Sequence, residues 1–322
     1  MTADHIRHVL VVGAGTMGRQ IAWQCATHGF DVTLTDADPA ALERATAAVQ
    51  RFADGAATAG ALSEPDARAA LGRLRVTTEP DYAGVDLVSE SVYEDPTVKG
   101  QVFARLNALC PAATIFTTNT STLLPSMFAA ATGRPERFCA LHFHLPVWTA
   151  NVADVMAHAG TSAETLATVA AFARRIGQVP IVLRAEHAGY VFNDMFNALN
   201  TAAIGLVADG VAAIEDVDRA WMGIMKMPVG PGGWLDDIGL DTVWRITAYW
   251  AGVTNDPRLQ RNAALLKGYV DQGRLGVKSG RGFYDYPNPA YAMEGFLVNG
   301  AGEERGETRR SAERRREEGL MG

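Results

Sequence analysis

The chain is poor in several things, and each shortage excludes a class of protein. It has three cysteines in 322 residues, Cys25, Cys110 and Cys139, with no C-x-x-C spacing. They cannot all pair with one another, so a disulfide scaffold is excluded and reduced thiols in a cytoplasm are expected. No run approaches the roughly 18 apolar residues that a membrane helix needs, and residues 1–7 show no signal-peptide pattern. There is no excess of basic charge; the formal net charge of −7 argues against nucleic acid as the main partner. No internal repeat is visible. What is present is ordinary globular material, 48% hydrophobic and 20% charged, enough for two domains with cores of their own.

The first half alternates strand and helix signals. A β-branched run at His8–Val12 leads into a Gly-rich turn and a helical stretch from Thr16 to His28, followed by a strand at 31–35. A long Ala-rich amphipathic segment, 39–74, carries no strand pattern. Short strands follow at 75–78, 87–89, 115–118, 140–144 and 179–183. Strands separated by helix-length segments predict βαβ units, hence a doubly wound α/β sheet. Beyond about Arg184 the alternation stops, and helices are expected at 189–210, 214–225 and 240–251, with the Pro- and Gly-rich 227–233 as a connector. From Gly302 the chain holds six Glu and six Arg in 21 residues and no aromatic, as in a solvated helix or disordered tail. The expected organisation is a Rossmann-type domain at 1–184, an all-helical domain at 185–290 and a charged tail at 291–322.

Residues 13–18 read G-A-G-T-M-G. The motif alone is weak, but here a buried-type strand precedes it, a helix follows, and Asp36 stands eighteen positions beyond Gly18 at the end of the next strand. Gly13 permits a tight turn, Gly15 lets a pyrophosphate approach, and Gly18 lets helix and strand pack closely, while amides from Thr16 and Met17 onward face the phosphates. A carboxylate at Asp36 accepts the ribose hydroxyls and repels a 2′-phosphate, which favours NAD over NADP.

Three further segments carry polar groups where an α/β sheet opens its crevice: T-T-N-T-S-T (117–122), L-H-F-H-L-P (141–146), and Asn193 near the start of the first helix of the second half. Taken singly, each is as easily structural. His142 and His144 are two apart and would share a strand face; with Asp154 they could be pictured as a metal site, but hydride transfer needs no metal. His28 reads as a neighbour of a helix C-cap, His158 and His187 as surface residues. Trp221, Trp234, Trp244 and Trp250 read as packing or dimer contacts.

As an ordered set, the fingerprint, S-E-S-V-Y-E-D-P-T-V-K (89–99), N-T-S (119–121), L-H-F-x-x-P (141–146), G-Y-V-F-N (189–193), P-V-G-P-x-x-x-L-D-x-I-G-L-D-T (228–242) and K-S-G-R-G-F-Y (278–284) resembles the 3-hydroxyacyl-CoA dehydrogenase family from about His8 to Tyr286. The resemblance implies an NAD-dependent, dimeric enzyme of fatty-acid metabolism that interconverts 3-hydroxyacyl and 3-oxoacyl thioesters, with no metal. It implies that His142 is the catalytic histidine, that Asp154 orients it, and that Ser121 and Asn193 hold the substrate oxygen. It also implies that Glu94, Lys99, Ser121 and Lys278 contact the cofactor, beside Gly13, Gly15, Thr16, Met17, Gly18 and Asp36.

Two positions and one segment depart from the family pattern. Asp154 replaces a glutamate, withdrawing the carboxylate by about 1.5 Å unless the backbone compensates, and such a misplacement can cost about 100-fold in rate. Leu145 replaces an asparagine that contacts the nicotinamide. The segment 39–60, equivalent to a lysine-rich CoA-binding helix, holds no lysine and only Arg44 and Arg51 as cations. A carrier-bound thioester or a small free hydroxy acid is therefore the alternative substrate, and a non-catalytic NAD-binding protein the alternative class.

Overall fold

The computed structural model describes residues 2–298. By contacts the chain divides into two units, 1–194 and 195–322.

In the first unit, β1 (His8–Val12), β2 (Asp31–Thr35), β3 (Leu74–Val76), β4 (Leu87–Glu90), β5 (Ile115–Thr118), β6 (Phe138–Phe143), β7 (Val152–Met156) and β8 (Val179–Val182) form one sheet in the order β3-β2-β1-β4-β5-β6-β7-β8. All neighbours run parallel except β6 and β7. Both faces of the central strands are covered, which is why they read as continuous apolar runs. Val9 and Val11 of β1 enter one core cluster and Leu10 the other. The crossover helices are α1 (Thr16–Thr27), α2 (Pro39–Thr58), α3 (Glu64–Gly72), α4 (Pro96–Leu109) and α5 (Ala163–Arg175). Their starts are written in the sequence. Asp38, followed by Pro39, accepts the Ala40 amide at 2.9 Å. Asp95, followed by Pro96, accepts those of Thr97 and Val98 at 2.8 and 2.9 Å.

The sheet differs from expectation in two places. The segment 39–74 breaks into α2 and α3, Ser63 capping the second through the Asp66 amide. The antiparallel β7, which gave no sequence signal, lies beside β6 and puts Asp154 directly opposite His142 in the register. β6 also begins two residues earlier than expected and ends at Phe143, so His144 lies just beyond it.

α6 (Phe192–Ala208) leads into the second unit, which holds α7 (Ile214–Met225), α8 (Pro231–Ile238), α9 (Leu240–Thr254) and α10 (Pro257–Asp271). Helix α8 starts inside the Pro/Gly stretch expected to be a connector, with Pro231 in its first turn. Two buried aspartates organise the unit. Asp218 of α7 accepts the Gly232 and Gly233 amides at the start of α8 (2.7 and 3.1 Å) and the Tyr284 hydroxyl at 2.8 Å. Asp236 accepts the Phe283 and Tyr284 amides at 2.8 and 2.9 Å, and the Tyr286 hydroxyl at 3.0 Å. Trp244 packs on the core of this unit, whereas Trp234 and Trp250 are exposed.

Of the expected tail, residues 299–322 lie outside the described residues. The part at 291–298 is packed: Phe296 is buried, its carbonyl accepts from Arg219 Nε at 2.9 Å, and the Arg219 guanidinium lies over its ring. His158 is also not a surface residue. It is buried, with Nε2 3.1 Å from the Pro135 carbonyl and Nδ1 accepting the Gly160 amide.

Candidate functional site

The Gly-rich turn sits where the strand order reverses, between β1 and β4, the position at which open α/β sheets place ligands. Gly13 has φ +102°, and a Cβ there would meet the Ser91 carbonyl. A Cβ on Gly18 would run into the Gly13 carbonyl, so helix and turn touch backbone to backbone. Gly15 differs: it is exposed and its side-chain direction is open space. It caps α1 without a side-chain hydrogen bond, and the first turn, with Thr16 exposed and Met17 half-buried, holds no acidic residue. Free amides and unopposed helix dipole make this end fit for a phosphate.

Asp36 follows β2, with Oδ2 on the Ala14 amide at 2.7 Å and Oδ1 on the Asp38 amide at 2.9 Å. A cavity of about 650 Å³ opens here, lined among others by Gly13, Gly15, Asp36, Ser91 and Tyr93. The buried Ser91 hydroxyl has no partner among the described residues. These features fit a dinucleotide.

Beyond the C-terminal ends of β4 to β6 lies the second cluster. His142 is 3% exposed. Its Nε2 is 3.2 Å from Ser121 Oγ and its Nδ1 is 3.1 Å from Asp154 Oδ2. An ionised carboxylate only accepts, so Nδ1 carries the proton and Nε2 presents its lone pair toward Ser121. The shorter side chain of Asp154 thus still reaches His142, because the two stand opposite each other across β6 and β7. The same Oδ2 also takes His144 Nε2 at 3.0 Å.

Burial lowers the His142 pKa. The bond from Asp154 pulls the other way, and His144 adds to the lowering. For Asp154, burial alone would raise the pKa, but the bonds from His142 and His144 outweigh it and hold it below its ordinary value.

Two residues to which the sequence reading gave no role in the site complete the setting. Tyr190 stacks on the His142 ring, centroids 4.5 Å apart and planes at 10°, and its hydroxyl donates to the Thr120 carbonyl at 2.7 Å. Burial and then the Asp154 charge push its phenol upward, so it stays a donor. His144, read from the sequence as a strand-face neighbour of His142 and weighed as a metal ligand beside it, meets Phe192 edge to face at 5.5 Å. Asn193 follows, half-buried in the first turn of α6.

Glu94 is turned toward 120–122. One of its oxygens accepts the amides of Ser121 and Thr122, at 2.9 and 3.1 Å, and the hydroxyls of Thr120 and Thr122. Burial would raise its pKa, but Thr120 and Lys99 bring it below the ordinary carboxylate value. Lys99 is 1% exposed and donates to Glu90 at 2.7 Å, with Glu94 at 3.2 Å. Lys278 lies in the second unit, where it pairs with Asp241. Leu145 is half exposed, next to a cis bond to Pro146.

Residues 8–186 match the NAD-binding domain of 3-hydroxyacyl-CoA dehydrogenase, and residues 189–286 match its C-terminal domain. The chain belongs to the 3-hydroxyacyl-CoA dehydrogenase family. It is an NAD-dependent oxidoreductase of that family.

Among its relatives is a probable 3-hydroxybutyryl-CoA dehydrogenase of Bacillus subtilis, 34% identical over 87% of this chain and 98% of that one. The 3-hydroxybutyryl-CoA dehydrogenase of Mycobacterium tuberculosis H37Rv is also 34% identical, over 88% of this chain and all of its own. Two solved structures have the same fold. A diketoreductase, described as acting on dicarbonyl compounds, is 40% identical with a TM-score of 0.81, over 87% of this chain and 99% of its own. The (S)-3-hydroxybutyryl-CoA dehydrogenase of Ralstonia eutropha is 32% identical with a TM-score of 0.79, over 88% of this chain and 100% of its own.

Proposed function

We propose that this enzyme interconverts a 3-hydroxyacyl thioester and its 3-oxoacyl form, with His142 as the general base of oxidation and general acid of reduction. The line Ser121–His142–Asp154 carries the reading. Nε2, freed by the proton on Nδ1, accepts the substrate hydroxyl proton as the carbonyl forms, and the charge that arises on the ring is met by Asp154. Bound NAD supplies the hydride acceptor. Ser121 donates to the substrate oxygen, with Asn193 as its second donor. Glu94 holds the Ser121 amide, and thereby the serine, in place. Gly13, Gly15, Thr16, Met17, Gly18 and Asp36 hold the dinucleotide, with Lys99 and Lys278 as further cofactor-side groups. Residues 1–184 would then be the cofactor domain and 185–290 the helical domain through which two copies pair, in the cytoplasm.

A specific observation favours a second reading, a β-dicarbonyl or free hydroxy acid without CoA. Cations on α2 and α3 are few, Arg44 and Arg51 on the first and Arg68 on the second, and Arg44 and Arg68 each have a carboxylate beside them, Asp38 and Glu64, that would oppose a nucleotide's phosphates. The likeness to a diketoreductase points the same way. Phosphates normally need several charge-assisted bonds, each contributing about 1.5–3 kcal/mol. The test compares kcat/KM for the acetoacetyl esters of CoA and of pantetheine, and for a free β-diketo ester. The thioester reading expects both thioesters to be turned over, with pantetheine within tenfold of CoA. A hundredfold drop on removing the nucleotide would show that CoA is gripped elsewhere. Turnover of the diketo ester alone would establish the second reading.

A further inference from the structure

We propose that His144 is a positioning residue: as a second donor to Asp154 Oδ2 it holds the carboxylate in the orientation that His142 requires. The inference rests on the reading of His142 as the base. Three observations carry it.

The first is placement. His142 and Asp154 are register partners across β6 and β7, and His144, two residues on, falls on the same side of the sheet. It lies beyond the end of β6 and reaches the carboxylate with its distal nitrogen, Nε2, at 3.0 Å.

The second is hydrogen-bond chemistry. A carboxylate that accepts one donor can still rotate about its Cβ–Cγ bond, because that torsion is broad. Here two donors converge on one oxygen from ring planes 74° apart. Their directions differ enough that the oxygen cannot follow one without leaving the other. An aspartate, shorter than glutamate, has no slack to recover a lost contact.

The third is what holds His144 in turn. Phe192 meets its ring edge to face, one residue before Asn193. The other charged or titratable groups facing His142 are Glu94, from the loop before α4, and Tyr190, which stacks on its ring. Neither touches Asp154 Oδ2 by hydrogen bond, so among the described contacts only the two imidazoles orient that oxygen.

The same three side chains could be read as metal ligands, since they present ligand atoms within 4.8 Å of one another. Both nitrogens, however, already stand at hydrogen-bond distance from one oxygen. An ion about 2.0–2.1 Å from each would displace the proton that gives His142 its tautomer.

The experiment uses the substrate turned over fastest in the comparison above. It compares wild type with His144→Phe, which removes the donor, His144→Gln, which keeps an N–H at a similar reach, and His142→Ala as control. His144→Phe is expected to lower kcat about tenfold, with KM for substrate and NADH within twofold. In this direction His142 is the acid, and the alkaline limb it sets should move to lower pH, because the bond from Asp154, which influences the His142 pKa more than His144 does, weakens once the carboxylate is no longer held. His144→Gln should keep kcat within threefold of wild type, and activity should survive dialysis against EDTA.

His144→Phe within twofold of wild type with an unmoved alkaline limb would overturn the proposal. So would His144→Gln as impaired as His144→Phe, or activity lost to chelation and restored by Zn²⁺. An active His142→Ala would sink the reading of the base itself, whereas an inactive one beside an unimpaired His144→Phe would sink only the role of His144.

Discussion

Replacing Asp154 by asparagine removes a charge while leaving an oxygen where two imidazoles need one. The carboxylate accepts from His142 Nδ1 at 3.1 Å and from His144 Nε2 at 3.0 Å, and is 1% exposed, so water cannot substitute for it. Hydrogen bonds to a charged group contribute roughly 1.5–3 kcal/mol. If that stabilisation is realised as His142 takes up the substrate proton, kcat for oxidation should fall roughly 10- to 150-fold at the pH plateau. NAD affinity should not change, because Asp154 does not line the dinucleotide cavity. The pH profile supplies an independent sign. Burial lowers the His142 pKa and the bond from Asp154 opposes it, so losing the charge lowers it further. The base then stays neutral to lower pH, and the acid limb of kcat moves down while the plateau drops. NADH formation followed by absorbance across the acid range measures both. A plateau within threefold of wild type, or an acid limb that moves up, would refute the reasoning.

NAD should be preferred over NADP by at least about tenfold in kcat/KM, since Asp36 is fixed by the Ala14 and Asp38 amides and the adjacent Arg44 is paired to Asp38. Asp36→Ala should narrow that gap, and equal values in wild type would remove Asp36 from the ribose. Asp218→Ala should lower stability by about 3–5 kcal/mol, measured by denaturant unfolding, because two amides and a buried tyrosine hydroxyl lose their acceptor together. A loss below about 1 kcal/mol would mean that water satisfies those donors.

Much of this architecture was legible from local chemistry. The strands at 31–35 and 115–118 and the helix at 214–225 match the pattern reading residue for residue, since apolar periodicity and bounding turns agree there. β7 was not legible: V-A-D-V-M carries a charge at its centre, and what makes it a strand is pairing with β6, a tertiary fact. Helix α8 was hidden by Pro231, Gly232 and Gly233, which read as a connector although proline suits a first helical turn and Asp218 supplies the missing cap from α7.

At the site, motif order singled out Ser121, His142 and Asp154, and the fold brings these three into hydrogen-bond contact. Tyr190 and His144 could not be read in the same way. A stacked ring and a shared carboxylate oxygen exist only once β6, β7 and the turn before α6 are packed. The same holds for His158, whose partners are a backbone carbonyl and a backbone amide.

The most direct test of the central claim is single-turnover hydride transfer in His142→Ala and His142→Gln, with NAD binding measured separately. Removal of a general base costs about 10²–10⁴-fold. Both variants should therefore lose hydride transfer by that factor, with the dissociation constant for NAD within twofold of wild type. Transfer within tenfold of wild type, or a parallel collapse of NAD binding, would contradict the assignment of His142 as the base.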